Sequence, residues 1–332
     1  MKIRILGTGS WGSALAQVVA DNGHDVMMWG IDAAEVNDIE NNHHNSKYFE
    51  VEMNHDVHAT QDISCVKDAD VILIAVPVMA LESVVEQIAP LLDHSVTFIN
   101  VAKGFHPVTH ERLSVVMERI IPSSMRKAIV SLIGPSHAEE VILRMLTSVN
   151  AVSDNEQQAQ MIQELFSNSY FRVYRNTDVI GAEIGVALKN VMAIASGILE
   201  GVGQGDNARA ALMTRGLAEM TRYGVAHGGK AETYLGLDGV GDLIVTCTSM
   251  HSRNFTAGLQ IGKDGSAENF WKENKRTVEG VAACKVVYEQ AKAEGIEMPI
   301  VNEVYAVLYE GKSPAEAISA LMGRSLKSEM ES

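Results

Sequence analysis

Between residues 239 and 254 the sequence Gly-Val-Gly-Asp-Leu-Ile-Val-Thr-Cys-Thr-Ser-Met-His-Ser-Arg-Asn gathers a carboxylate, Asp242, with hydroxyls at Thr246, Thr248 and Ser252. A guanidinium, Arg253, and an amide, Asn254, complete the set. Carboxylate and amide suit hydroxyl groups, and the planar fork of Arg suits phosphate oxygens, so the mixture fits a small polyol phosphate. An ordinary loop and helix cap would use the same residue types. A second candidate is Lys189, set in the apolar run Ala187-Leu-Lys-Asn-Val-Met-Ala-Ile-Ala195. A lysine there is costly unless paired or functional, and partial burial lowers its pKa toward use as a general acid or base. The alternative is that its ammonium snorkels to the surface. Lys103-Gly104 follows the apolar stretch 96–102 and so emerges at the C-terminal end of a strand. Gly134-Pro-Ser-His-Ala-Glu-Glu140 occupies the equivalent place after the next strand. There Ser136 offers a substrate its hydroxyl or backbone N–H, or else caps the helix that follows, and Glu139 suits a capping box.

At the other end, Gly7-Thr-Gly-Ser-Trp-Gly12 directly follows a strand and opens a helix. The first glycine permits a tight turn, the second lets backbone approach a pyrophosphate, and the third lets helix and strand pack closely. Asp32 stands twenty residues past Gly12. That context predicts dinucleotide binding. Asp32 either accepts a ribose 2′-hydroxyl or caps the next helix, and the choice between NADH and NADPH stays open. His43, His44, Lys47 and Tyr48 either edge the adenine or form a solvated loop.

The elements that must hold these groups change character along the chain. Strands are expected at Ile3–Leu6, Asp25–Trp29, Val71–Val76, Val96–Asn100 and Ala128–Ile133, with helical stretches such as Trp11–Asn22 and Leu81–Leu92 between them. This alternation predicts a parallel, doubly wound sheet of Rossmann type. Ser148–Val152 and Phe171–Tyr174 extend the sheet around a helix at Asn155–Phe166. From about residue 178 the periodicity is helical, over Val179–Leu199, Ala208–Tyr223, Asn254–Ile261, Ala282–Glu294 and Val301–Tyr309, with a last helix opened by Ser313-Pro314. The fold class is therefore α/β, with a dinucleotide-binding domain over 1–177 and an all-helical substrate domain over 178–332. The closing Ser-Glu-Met-Glu-Ser reads as a frayed end.

The 332 residues carry a net charge of −15, which argues against nucleic-acid or anionic-membrane partners. Cys65, Cys247 and Cys284 lack metal-ligand spacing and read as free thiols of a cytoplasmic protein. No metal is expected. Met1-Lys-Ile-Arg4 runs straight into a strand, leaving no room for a leader, and no apolar run suggests an integral membrane segment. The apolar helices of the second domain suit a homodimer or simple core packing equally.

These motifs, with Gly-Asp-Asn-Ala at 205–208, Thr-Arg-Gly-Leu-Ala-Glu-Met at 214–220 and Val-Glu-Gly at 278–280, give the chain a resemblance to bacterial NAD(P)-dependent glycerol-3-phosphate dehydrogenases over nearly its full length. The resemblance implies NADH- or NADPH-linked reduction of dihydroxyacetone phosphate to sn-glycerol 3-phosphate, a precursor of membrane phospholipids. It implies that Lys189 donates the proton, that Lys103 and Asp242 assist, and that Gly134, Ser136, Ser252, Arg253 and Asn254 line the substrate. It further implies that Gly7, Gly9, Ser10, Trp11, Gly12, Asp32, Tyr48, Lys103, Ala138, Arg253 and Glu279 contact the dinucleotide. Ile31 stands where such chains often carry a basic residue, and Tyr48-Phe-Glu-Val51 replaces the more usual Tyr-Leu-Pro-Gly. A related reductase of another hydroxy acid or sugar phosphate, and a dinucleotide sensor without turnover, are the alternatives.

Overall fold

The computed structural model describes residues 1–274, 277–326, 328 and 329, so the expected fraying of the last three residues lies outside them. The chain forms two compact units, one of residues 1–102 and 111–179, the other of residues 103–110 and 180–332.

The first unit is built on eight strands: β1 (Lys2–Leu6), β2 (Asp25–Trp29), β3 (Val57–Thr60), β4 (Val71–Ile74), β5 (Val96–Asn100), β6 (Arg126–Ile133), β7 (Thr147–Val152) and β8 (Phe171–Asn176). They lie in the order β3-β2-β1-β4-β5-β6-β7-β8. Its helices are α1 (Ser10–Asp21), α2 (Ala33–Asn42), α3 (Val78–Ile88), α4 (Leu113–Ile120), α5 (Ala138–Val141) and α6 (Glu156–Phe166). Along β4, Val71 and Leu73 pack with the residues of α1 and α6, while Ile72 and Ile74 pack with those of α3 and α4. Period-2 alternation thus feeds two apolar faces, which is why these strands read as unbroken Val/Ile runs. The strand order reverses between β1 and β4, the place where open α/β sheets bind ligands outside their carboxyl ends.

Two features depart from the expected sheet. β7 runs antiparallel to β6, because the segment joining them carries only the one-turn α5 in place of a full crossover helix. β8 then pairs parallel to β7 through α6. The second feature is β3, a four-residue edge strand of Val-His-Ala-Thr, whose polar His58 is exposed while Val57 and Ala59 are buried. So short a run carries almost no periodic signal.

The second unit is helical: α7 (Val179–Gly201), α8 (Asp206–Ala226), α9 (Asp242–Thr248), α10 (Arg253–Asp264), α11 (Glu268–Glu273), α12 (Glu279–Glu294), α13 (Pro299–Tyr309) and α14 (Pro314–Met322). By length and composition α7 could cross a bilayer, but 89% of its apolar window is buried inside the protein. Its Ile184, Leu188, Val191 and Ile194 belong to the apolar core of this unit. A helix apolar all round is a core helix when protein surrounds it. Ser313 caps α14 in a reciprocal capping box with Glu316, and Pro314 takes the first helical position.

Candidate active site

Lys189 lies mid-way along α7 and is only 4% exposed. Its ammonium donates to Asp242 Oδ1 and to Thr246 Oγ1, the latter at 2.8 Å. Asp242 opens α9, so Thr246, four residues on, falls on the same face one turn later. The Thr246 hydroxyl in turn donates to the Asp242 carbonyl at 2.6 Å. A single π-helical turn, Leu237–Gly241, leads into α9. Only glycine fits at 239, where a Cβ would lie 2.2 Å from the Tyr234 carbonyl oxygen. Lys103, from the segment grouped with this unit, donates to the other carboxylate oxygen of Asp242 at 3.3 Å. One fully buried carboxylate thus holds two ammonium groups.

The electrostatics follow from that count. Burial pushes the Lys189 pKa down to about 8, against the attraction of Asp242 and with help from repulsion by Lys103. Burial alone would raise Asp242, but Lys103 and Lys189 outweigh it and hold the carboxyl below the usual carboxylate range. The result is an ammonium that gives up its proton far more readily than an ordinary lysine, fixed in place by an ionised partner.

Ser252 caps α10, its Oγ accepting from Phe255 N at 3.2 Å, and is itself buried. Arg253 follows as the first helical residue, on the exposed side. Asn254 is turned inward, and its Oδ1 accepts from Gly280 N at 2.8 Å, which ties the start of α10 to the start of α12. Glu279, the first residue of α12, has its carboxyl raised by burial, against the attraction of Arg253 and the two lysines. A helix N-terminus carrying a guanidinium is a natural anion seat. Cys247 is fully buried and its thiol is pushed up to about 12 by burial, so it is an inert packing residue.

In the first unit, Gly7 through Gly12 turn from β1 into α1. A Cβ at Gly12 would fall 2.4 Å from the Gly7 carbonyl, whereas one at Gly9 would meet nothing within 4 Å. The turn is therefore closed on its packing side and open at its second glycine, the shape that a pyrophosphate requires. Ser10 is the first residue of α1, and the indole N–H of Trp11 is buried with no acceptor among the described residues. This cradle fits a dinucleotide. Asp32 caps α2, accepting from Ala34 N at 2.9 Å. Tyr48 lies beside it in a polar cluster with Lys47 and Glu35. After β6, Ser136 Oγ donates to the Gly134 carbonyl at 3.1 Å, and Ala138 is buried at the start of α5. Ser136 is not the cap of that helix. His137 takes the N-cap position without a side-chain capping bond, so the expected capping box with Glu139 does not form. Among the described residues no group of three or more His, Cys, Asp or Glu could hold a metal ion.

The N-terminal model of NAD-dependent glycerol-3-phosphate dehydrogenase matches residues 2–159, and the C-terminal model matches residues 178–319. The chain belongs to the NAD-dependent glycerol-3-phosphate dehydrogenase family. Its relatives include the glycerol-3-phosphate dehydrogenase [NAD(P)+] of Streptococcus pyogenes serotype M6, 46% identical over 99% of this chain and 98% of the relative. That of Streptococcus equi subsp. zooepidemicus is 47% identical over the same shares. The crystal structure of glycerol-3-phosphate dehydrogenase from Coxiella burnetii superposes with a TM-score of 0.91 at 35% identity, covering 97% of this chain and 99% of that one.

Within this glycerol-3-phosphate dehydrogenase, Lys103, Lys189 and Asp242 meet at one point, and Asn254 meets the helix start that carries Glu279. Gly7, Gly9, Ser10, Trp11 and Gly12 share one turn, while Asp32 and Tyr48 share the neighbouring cluster. Reading the sequence alone omitted three participants. Thr246 was visible as a hydroxyl four residues from Asp242, but its bond to Lys189 was not. Asn190 is buried with its side-chain N–H2 lacking an acceptor among the described residues. Glu35, in the first turn of α2, is a buried acceptor for the Thr8 hydroxyl.

Proposed function

We propose that this dehydrogenase reduces dihydroxyacetone phosphate to sn-glycerol 3-phosphate, reversibly, with NADH or NADPH, and so provides the glycerol phosphate of phospholipids. The observation that carries the reading is the buried Lys189 held by Asp242 and Thr246, with its pKa brought to about 8. When bound, the dinucleotide supplies the hydride. As a ketone takes up an electron pair, negative charge gathers on its oxygen, and a fixed ammonium stabilises that charge and then protonates it. Lys189 fills this role in reduction and, once neutral, accepts the alcohol proton in oxidation. Asp242 fixes the ammonium and, with Lys103, sets the local charge. Arg253 and the N-terminus of α10, capped by Ser252, supply charge-assisted donors for the phosphate. Asn254 and the free donor of Asn190 suit substrate hydroxyls. We assign Gly134 and Ser136 to the substrate as well, and Gly7, Gly9, Ser10, Trp11, Gly12, Asp32, Tyr48, Ala138 and Glu279 to the dinucleotide. The three free cysteines support a cytoplasmic setting.

Purified protein tests this directly. Loss of NADH or NADPH absorbance should require dihydroxyacetone phosphate, and the product should be the substrate of a stereospecific glycerol 3-phosphate oxidase. Folded protein that binds the dinucleotide but consumes it with no phosphorylated ketone would remove the reading in favour of a sensor.

A further inference from the structure

The polar cluster beside the glycine turn bears on a question that the enzyme reading leaves open, namely which dinucleotide is used. Thr8, the residue between the first two glycines of the turn, donates its hydroxyl to Glu35 Oε2 at 2.5 Å. Both are buried, Thr8 at 4% and Glu35 at 8% exposed. The Lys47 ammonium sits on the other oxygen of Glu35 at 2.5 Å and reaches Asp32 Oδ2 at 3.4 Å. The Tyr48 hydroxyl also points at Glu35, at 3.3 Å. The end of β2 closes on the same group, since a Cβ at Gly30 would lie 2.5 Å from the Thr8 side chain. Ile31, which follows, is 82% exposed and apolar.

In an open α/β domain the adenosine ribose lies by the end of the second strand, and a carboxylate there receives its 2′-hydroxyl. Asp32 retains that capacity while it caps α2, because each carboxylate oxygen has two lone pairs and Ala34 N takes only one. A 2′-phosphate meets different conditions. It brings about −1.5 to −2 charges to a cluster of two carboxylates and one ammonium. The sequence from Ile31 to Glu52 holds six carboxylates against that single lysine. Lys47 already gives two of its three N–H donors to Glu35 and Asp32, and turning wholly to the phosphate would leave the buried Glu35 carboxyl with Thr8 and Tyr48 alone as donors among these residues. Burying an unpaired charge is costly, so Lys47 is already committed.

We propose that the Thr8–Glu35–Lys47–Asp32 cluster makes this chain selective for NADH over NADPH, with Glu35 acting as a positioning residue that withholds Lys47 from a 2′-phosphate. The proposal rests on the dehydrogenase reading only in taking a nicotinamide dinucleotide as the ligand. Ketone is therefore left out of the decisive experiment. Each reduced dinucleotide is titrated into the wild-type protein and its own fluorescence on binding gives Kd. NADH should bind at least tenfold more tightly than NADPH. Glu35→Gln keeps a partner for the Thr8 hydroxyl while releasing Lys47, and should narrow the ratio at least fivefold through tighter NADPH binding. Ile31→Arg, at an exposed position that folding does not depend on, should narrow it in the same way by adding a cation. A wild-type ratio within threefold of unity, or tighter NADPH, overturns the proposal. So do variants that weaken or strengthen both dinucleotides in parallel, which is what a merely structural role would give. Adding dihydroxyacetone phosphate afterwards separates the two claims. Selective NADH binding without turnover sinks the enzyme reading and leaves this one, whereas turnover with NADPH preferred does the reverse. Binding of neither dinucleotide overturns both.

Discussion

Asp242→Asn is the sharpest perturbation of the proposed proton donor. It conserves volume and one acceptor but removes the charge that Lys189 and Lys103 share. Two unit charges about 3 Å apart at an effective dielectric of about 20 attract by about 5 kcal/mol, equivalent to about 4 pKa units. The hydrogen bond that Asn keeps, and relaxation of the freed lysines, reduce that to about half. The Lys189 pKa should then fall from about 8 to about 6, the direction that burial and the neighbouring Lys103 both favour. In ketone reduction the competent form is the ammonium, so kcat is lost as pH rises through the Lys189 pKa. Near pH 7.5, proton occupancy would drop from about three quarters to about one thirtieth, a fall of about 20-fold in turnover. The assay is kcat against pH at saturating ketone and cofactor, so that binding losses do not enter. The basic limb should move from near pH 8 to near pH 6, with much of the rate recovered in acid. Alcohol oxidation needs the neutral amine, so its rate should instead rise through those same values. A variant slowed by one factor at every pH, with its limb unmoved, would refute the idea that Asp242 sets the protonation of Lys189. Below about pH 6 the variant also leaves two ammonium groups side by side without their carboxylate, at a cost of about 3–5 kcal/mol of stability, so dinucleotide binding and a melting curve must show folded protein at each pH.

Lys189→Ala should lower kcat by about 10²- to 10⁴-fold, the usual contribution of a general acid, while the dinucleotide Kd stays within a few-fold. Turnover near the wild-type level would take Lys189 out of the mechanism. Arg253→Ala should raise KM for dihydroxyacetone phosphate about tenfold or more and leave KM for an unphosphorylated ketone nearly unchanged, because only the former loses a charge-assisted bond. Equal losses on the two would point to another substrate class. Glu219 on α8, 4% exposed, accepts from Ile300 N at 2.7 Å and Val301 N at 3.3 Å, and burial pushes its carboxyl up to about 7 from an ordinary 4.5. Between those values the folded protein holds a proton that the unfolded chain has released, so stability should decline as pH rises through the window, by about 3 kcal/mol in all. Glu219→Gln should flatten that decline and melt above wild type at about pH 8. A Tm difference constant from pH 5 to pH 8 would show that Glu219 is ionised throughout.

The fold was legible where a residue type reports on burial. Runs such as Val71–Ile74 feed both faces of a sheet, and Gly7-Thr-Gly-Ser-Trp-Gly12 has to turn between strand and helix, so the doubly wound sheet and the fingerprint followed from spacing. The antiparallel β7 was not legible, because Thr147–Val152 is buried along nearly its whole length, as a parallel strand is, and strand direction depends on the connector before it. Nor was β3, whose four residues offer one alternation and a half.

The site divides along the same line. Lys189 announced itself because an ammonium in an apolar helix must have a reason, but its pKa depends on which charges reach it from α9 and from the segment at Lys103, and those lie far off in sequence. The π-turn at Leu237–Gly241 and the tight seat of Gly239 against Tyr234 decide where Asp242 points. No local propensity encodes that direction. Glu35 makes the opposite case: an acidic residue in the first turn of a helix has an adequate local explanation in the helix dipole, and that explanation conceals its bonds to Thr8 and Lys47. Residues that violate a local rule were found from sequence, and residues that satisfy one while serving a distant partner were not. In the proposed scheme the second kind sets the protonation and selectivity of chemistry supplied by the first, and both depend on bonds between residues far apart in sequence.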